Sequence, residues 1–472
     1  MDGGTENSGS LVEQVMQAVR RRIAARTLAP GAKLPSIRAM AGEMAVSKST
    51  VVEAYDRLAA ESVIRSRRGS GFFVAGHLPP LSLAEIGPRL DRAVDPLWVS
   101  RQVLEAGEGV MMPGCGWLPD SWLASDDLRR ALRALARTAD PMRLARYETP
   151  HGLPPLRQLL SRRLAEHGVD AAPDQIILTE SATHAVDLLC RFLLEPGDTV
   201  MVDDPCYFNF HALLRAHRVR VVSVPYTPSG PNLDSFARTL AEHRPRIYLT
   251  NVALHNPTGA TIAPATAHRV LRLAEQFGLT IVEDDVFADM EPEPSPRLAA
   301  FDGLERVVQL GSFSKTLTAS ARCGYVAVRR EWIEPLLDLK IATCYGGTRL
   351  SAELVLSVMT NGTYRHHLEA LRDRLSRAMG VATARLRRLG IEPWIMPRGG
   401  MFLWCRLPDG VDAVDLTQRA LARDIVLAPG NVFSLSQSAA QYMRFNVAQS
   451  ADPRLFEVLE SLLGSDPSLH SG

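Results

Sequence analysis

Between residues 76 and 109 the sequence loses every regular period. His77-Leu78-Pro79-Pro80, Pro88 and Pro96 interrupt any long helix or strand there, although a short helix fits near Leu90 to Leu104. The chain is thereby cut into two stretches whose apolar patterns differ, and one core cannot serve both. At 472 residues it is also too long for a single core, and its length suggests about three domains. The expected division is a head over 11–75, a linker over 76–109 and a body over 110–472, whose smaller part begins near 341. A linker of this length spans roughly 30 Å, enough for the head to reach a neighbouring subunit.

In the head, Leu11, Val15, Val19 and Ile23 recur every four residues and mark one apolar face of a helix. Ala29-Pro30-Gly31 ends it. Ser36 can cap a second helix carrying Ile37, Met40, Ala41 and Met44. After a tight turn at Ala45-Val46, Ser47 can cap a third helix with Val51, Ala54, Tyr55 and Leu58 inward. Val63–Arg65 and Phe72–Val74 read as two strands joined by Arg67-Arg68-Gly69-Ser70-Gly71. Three short helices and a basic hairpin make a winged helix-turn-helix. Residues 1–75 hold eleven basic and seven acidic residues, so the head is at +4 and the remainder at −3 in a chain of net charge +1. A basic head on a mildly acidic body suits duplex DNA as a partner.

The third helix opens Lys48-Ser49-Thr50, offering a cation, hydroxyls and free backbone N–H groups to phosphates and base edges. Arg38 can clamp the backbone nearby, and the tip with Arg67, Arg68, Gly69 and Gly71 can follow the minor groove. Each of these residues alone is equally at home on a solvated surface. The segments LAPGAKLPSIRAMA (28–41), VSKSTVVEAYDRLAAESVI (46–64) and SRRGSGFFV (66–74) resemble the GntR superfamily of bacterial repressors and activators. That resemblance implies that Arg38, Lys48, Ser49, Thr50 and the Gly69–Gly71 wing touch an operator.

From about 110 short apolar runs alternate with amphipathic helices, the pattern of an α/β fold. Strands are expected at Gln175–Leu178, Thr199–Val202, Arg220–Val224, Arg246–Thr250, Thr280–Val282, Val307–Leu310 and Tyr325–Val328. Helices are expected at Ala182–Leu194 and Ala265–Phe277. One helical stretch continues from Ile341 to Leu389, ahead of strands Gly400–Arg406 and Tyr442–Val447.

In such folds ligand groups gather at the carboxyl ends of strands, and polar residues fall there repeatedly. The run Thr179-Glu180-Ser181-Ala182 opens a helix whose N–H groups favour a phosphate. Tyr207 follows the Asp203-Asp204-Pro205 turn and could stack on a ring. Asn256-Pro257-Thr258-Gly259 follows another strand end, and Asp284 is placed to meet a pyridinium nitrogen. The segment GSFSKTLTASARCGY (311–325) sets Lys315 among Ser312, Ser314 and Thr316, with Arg322 after it. An amine there can condense with an aldehyde while hydroxyls and a guanidinium hold a phosphate. Singly, each residue also reads as a cap, a turn or a solvated loop; their shared place at strand ends argues otherwise.

Tyr147 with Gly152, the Ser181 region, Tyr207, HNPTG (255–259), EDD (283–285), SFSK (312–315), Arg322 and Arg444 resemble a fold-type I aminotransferase. Behind a GntR-type head, and with GCGWLP at 114–119, the whole resembles the MocR subfamily of transcription regulators. The implied fold is a large, mainly parallel sheet domain plus a smaller α+β domain, and the implied cofactor is pyridoxal 5'-phosphate. By that resemblance Lys315 forms the imine, Asp284 holds the ring nitrogen, Asn256 meets the ring hydroxyl and Tyr207 stacks on the ring. Ser181, Ala182, Ser312 and Arg322 would hold the phosphate, Tyr147 would reach in from a partner subunit, and Arg444 would grip an effector carboxylate. A homodimer, head-to-tail, is implied as well.

Two positions depart from the family pattern. Ser181-Ala182 stands where a glycine and a small hydroxyl residue are usual, and Phe287 stands where active transaminases place a tyrosine. Phenylalanine cannot donate to the ring oxygen, so the imine is expected to keep its proton to higher pH. Three functions are consistent with this chain: a regulator controlled by cofactor and an amine or amino acid, a working aminotransferase with a DNA-binding appendage, and a dimerisation platform without cofactor. Six cysteines without paired spacing argue for a reducing compartment and against a structural metal. A polar N-terminus and the lack of a long apolar run point to the cytoplasm.

Overall fold

The computed structural model describes residues 10–25, 27–29, 31–67, 70–75, 95–107, 109–138 and 145–464. Two compact units, a head and a body, are each built around their own core. In the head, α1 (Leu11–Ala24), α2 (Ile37–Glu43) and α3 (Lys48–Ala60) start at Ser10, Ser36 and Ser47, whose hydroxyls accept from the N–H of Glu13, Ala39 and Thr50. Val15, Val19, Met40, Val51, Tyr55 and Leu58 fill the space between them. The antiparallel pair β1 (Ile64–Arg67) and β2 (Gly71–Val74) matches Ile64 with Val74 and Arg67 with Gly71. Tyr55 ties helix to wing: its ring meets Phe72 edge-on at 5.0 Å and its hydroxyl donates to the Pro35 carbonyl at 3.0 Å. These elements follow the sequence reading closely, with β1 starting one residue later and ending two residues later than expected. Arg68 and Gly69 at the wing tip, and residues 76–94 of the linker, lie outside the described residues.

The body's main sheet contains β3 (Ile176–Thr179), β4 (Thr199–Asp204), β5 (Arg220–Thr227), β6 (Gly230–Pro231), β7 (Ile247–Thr250), β8 (Thr280–Asp284), β9 (Val307–Ser312) and β10 (Gly324–Ala327). Their order is β3-β10-β9-β8-β7-β4-β5-β6. β4, β7, β8 and β9 are mutually parallel, while β10 runs antiparallel to both β9 and β3. The carboxyl ends of β3, β4, β7, β8 and β9 therefore share one edge. The central strands are buried on both faces and read as unbroken apolar runs; Ile247–Thr250 is buried throughout.

A second, antiparallel sheet holds β11 (Glu392–Pro393), β12 (Phe402–Arg406), β13 (Ala428–Pro429) and β14 (Tyr442–Asn446), in the order β11-β12-β14-β13. The continuous helix expected from Ile341 to Leu389 is three helices instead: Ile333–Cys344, Arg349–Thr360 and Thr363–Arg388. Tyr345 in the left-handed region, Gly346-Gly347, and Gly362 at φ 79° break it. The short helix expected within the linker is Pro96–Leu104, with Asp95 accepting from the Leu97 N–H. Among the described residues no helix is long and apolar enough to cross a membrane.

Candidate functional site

The shared strand edge opens into a cavity of about 380 Å³. The sequence-derived residues Ser181, Tyr207, Asn256, Asp284, Ser312 and Lys315 line it, as do Ala182 and Arg322. β3 supplies the first of these because Ser181, two residues past its end, caps helix Ala182–Leu193 by accepting from the His184 N–H at 3.0 Å. That leaves the helix's first backbone N–H groups facing the cavity edge, a site suited to an anion. Gly324 on β10 permits the close approach: a Cβ there would lie 2.8 Å from the Ser181 carbonyl carbon. Ser312 ends β9, and its hydroxyl is 2.9 Å from that of Ser314. Arg322, at φ 46°, stands on the turn that follows.

Asp284 is the last residue of β8, two residues beyond the expected strand end. Burial pushes its carboxyl up to about 7, against the Asn251 amide and the Val286 N–H, which hold it down. Lys315 is half-buried as a residue because it faces the cavity, but its amine is enclosed. Burial, then the Arg444 guanidinium, bring that amine down to about 8, with Asp284 opposing. An amine and a carboxylate poised near neutrality in one cavity can exchange charge with a bound molecule at ordinary pH. Phe287, buried against Phe402 at 5.5 Å, presents its ring 5.9 Å from the Lys315 Nζ. Its place next to the amine carries no hydroxyl.

Sequence reasoning missed several groups. Asn251, directly after β7, lines the cavity; its Nδ2 donates to the Asp284 carbonyl at 2.8 Å while its buried Oδ1 has no partner among the described residues. The rule that picked Asp284, polarity at a strand end, applied equally to Asn251. Asp203, read as part of a turn, is instead a buried residue of β4. It accepts from Tyr248 and, at 2.6 Å, from Thr250, and lies 3.3 Å from the His255 ring. That network braces the loop carrying Asn256.

Arg444, expected to grip a carboxylate, is placed differently from the other site residues. Rather than lining the cavity, its guanidinium is buried behind it. Nη1 donates to Asn256 Oδ1 at 2.8 Å and Nη2 to the Gly114 carbonyl at 2.7 Å, while Nε has no partner among the described residues. Asn256 is thereby left with its Nδ2 amide as the donor end. The Gly114–Trp117 strap reaches both cations, since Lys315 donates to the Gly116 carbonyl at 2.7 Å. The strap is fixed to the smaller sheet: Gly114 N–H donates to Val426 and the Asn446 amide donates to the Trp117 carbonyl at 2.7 Å. A Cβ on Gly114 would fall 2.5 Å from the Leu427 and Ala428 backbone, so only glycine fits. A carboxylate meeting Nη2 of Arg444 would take the place of the Gly114 carbonyl. Tyr147 does not line the cavity of its own chain; it is 81% exposed and packs on Tyr345 at 4.9 Å.

On the head, Arg38, Lys48, Ser49 and Arg67 are exposed and Thr50 is partly so. Arg20 and Arg22 are spent on Glu61 and Glu43, whereas Arg38 and Lys48 enter no ion pair among the described residues. Arg67 lies over the Phe73 ring at 4.6 Å, and Gly71 adopts φ +99°, which a side chain would strain.

Comparison with known proteins places both units. Residues 119–462 match the family of aminotransferases of class I and II, and residues 11–74 match the bacterial regulatory proteins of the gntR family. The uncharacterized HTH-type transcriptional regulator YdcR of Escherichia coli is 30% identical over 445 residues, covering 92% of this chain and 94% of the relative. YdfD of Bacillus subtilis, similarly described, is 26% identical, with 93% and 92% covered. Among solved structures, the α-aminoadipate aminotransferase LysN of Thermus thermophilus superposes with a TM-score of 0.70 at 24% identity, covering 78% of this chain and 95% of that one. The multiple substrate aminotransferase of Thermococcus profundus gives 0.68 at 25%, with 77% and 95% covered. A gntR-type winged head, a fold-type I body and regulators matched over more than nine-tenths of their length agree: the chain belongs to the class I and II aminotransferase family, in the MocR-like group that carries this fold behind a GntR head.

Proposed function

We propose that the chain is a transcription regulator of the cytoplasm whose head grips operator DNA and whose body holds pyridoxal 5'-phosphate. An amine or amino acid in the same cavity then alters operator occupancy. The observation that carries this reading is the enclosed Lys315 amine, brought down to about 8 beside a carboxyl raised to about 7, behind a gntR-type head. The orphaned Asn251 Oδ1 and the uncapped N–H groups at Ala182 fit a polar, phosphate-bearing guest. When bound, the cofactor supplies an electrophilic carbon for amines and an electron sink.

The chain's own residues divide the remaining work. Lys315 is the covalent anchor and Asp284 the counter-charge for the ring nitrogen. The Asn256 amide donates to the ring oxygen, and Tyr207 covers a ring face. The helix start at Ser181-Ala182, with Ser312 and Arg322, holds the phosphate, and Arg444 takes one carboxylate of the effector. In a head-to-tail homodimer, Tyr147 of each subunit would reach the other's cavity; its exposure supports this. A ligand controls the head only as far as it favours one arrangement of the dimer over another.

Two measurements test the reading. Operator binding by the full chain to its own upstream DNA should change severalfold when pyridoxal phosphate and an amine are added together; invariance under every combination would reject ligand control. Sustained keto-acid production from an amino-acid panel would instead favour a working aminotransferase, a reading that Lys315 and Arg444 support and Phe287 opposes.

Asp284→Asn should weaken cofactor retention by roughly 10²-fold, the scale of losing one partner of a buried charge pair. Because the Asp284 carboxyl is raised when folded, its ionisation destabilises the cofactor-free fold as pH rises from the ordinary carboxylate range through about 7. A cationic ring nitrogen removes that penalty. The gain in thermal stability from pyridoxal phosphate should therefore be larger at pH about 8 than at pH about 6, and Asp284→Asn should flatten the difference. A gain independent of pH in the unmodified chain would contradict this assignment.

A further inference from the structure

The cofactor groups use only part of the cavity lining. The remainder includes Leu104, Trp117, Leu118, Leu123, Phe210 and Leu213, with the Phe287 ring beside the amine. Five side chains in this remainder are polar, Thr183, Asn209, Asn251, Ser314 and the exposed Asp120, and of these Asp120 alone is charged among the described residues. The cavity's cations are Lys315 and Arg322 among the described residues, and Arg444 stands behind its wall with two of its three nitrogens engaged. One carboxylate can therefore be met, by exchange for the Gly114 carbonyl. A second would lie among leucine and aromatic side chains without a donor cation, and Asp120 would repel it.

Resting on the reading above, we propose that the effector is an amino acid with one carboxylate and a bulky apolar or aromatic side chain, and that the cavity rejects dicarboxylic amino acids. Each methylene or ring carbon placed against Leu118, Leu123, Phe210 and Leu213 leaves water, which favours binding in proportion to the area covered. A distal carboxylate instead loses its hydration with no further cation among the described residues to pair with. Asp120 guards the mouth by charge: it stands free of the core on the short turn Asp120–Trp122, where its sign can be reversed without disturbing packing.

The test uses the full chain loaded with pyridoxal phosphate and follows the cofactor's absorbance during titration with L-leucine, L-phenylalanine, L-glutamate and L-aspartate. Leucine and phenylalanine should reach half-saturation at concentrations at least about tenfold lower than the two acids, the smallest ratio that an unpaired buried charge allows. Asp120→Arg should improve glutamate about fivefold, the size of a partly exposed ion pair, and leave leucine within twofold. Glutamate binding as tightly as leucine, or no amino acid altering a formed colour, would overturn the proposal while leaving the cofactor reading intact. Failure of pyridoxal phosphate to colour the protein would overturn the cofactor reading, and this inference with it.

Discussion

Lys315→Ala should yield a folded chain that fixes no pyridoxal phosphate on borohydride reduction and whose operator occupancy no longer answers to added amine. Among the described residues, the amine is the only one lining the cavity that can form a bond to the cofactor's aldehyde carbon. Without it, retention rests on Asp284, on the phosphate contacts near Ala182 and on stacking at Tyr207. These are non-covalent, so cofactor should dialyse away at least about 10²-fold faster, a loss comparable with removing a buried charged partner. The fold should survive. Burial already pushes the amine down to about 8, which means that its charged form is penalised in place; truncation removes that penalty together with the bond to the Gly116 carbonyl. Lys315→Gln, which can still donate to Gly116, separates the two effects. It should match alanine in losing the reducible label while holding the strap. A covalent label persisting in both variants would mean that another amine carries the cofactor, and the assignment of this cavity would fall.

Much of this site could be read from the chain because it obeys one topological rule. Parallel strands place their carboxyl ends on a common edge, so Ser181, Asn256, Asp284 and Lys315 could be grouped without knowing the strand order. What could not be read came from non-local packing. Trp117, Leu118 and Asp120 reach the cavity from a strap that precedes every strand of the main sheet, and no periodicity links them to it. Arg444 was identifiable as a carboxylate-binding candidate, but its burial was not, because the Gly114 carbonyl that covers it depends on the Gly114 backbone lying against Leu427 and Ala428. The helix breaks at Gly346-Gly347 and Gly362 were visible as glycines; apolar spacing continued across them and hid the turns. In the head the reverse holds. Its contacts are mostly between neighbours in sequence, and each helix opens with a serine cap, so local pattern and tertiary fold coincide.

Replacing Arg38, Lys48 and Arg67 together by alanine should lower affinity for operator DNA by roughly 10³-fold at physiological salt and flatten the slope of log affinity against log salt by about three. The reasoning begins with what the fold leaves available. Arg20 and Arg22 neutralise Glu61 and Glu43 within the head, so they add little positive potential outward. Arg38 near the start of α2, Lys48 at the start of α3 and Arg67 at the end of β1 remain exposed. Each stands beside a backbone feature that suits a phosphate: a helix N-terminus for the first two, and the Gly71 end of the wing for the third. Each cation that releases one condensed counterion contributes about one unit of slope. All three side chains lie outside the apolar core built on Val19, Met40 and Leu58, so thermal stability should stay within the small range typical of surface substitutions. Single variants separate the roles. Loss at Arg38 should be uniform over all sequences, as for a phosphate clamp, whereas Lys48→Ala should also relax discrimination at one base position, because the first turn of α3 is where base edges are read. A triple variant with unchanged affinity and unchanged salt slope would show that the head's charged face is not the one that meets DNA.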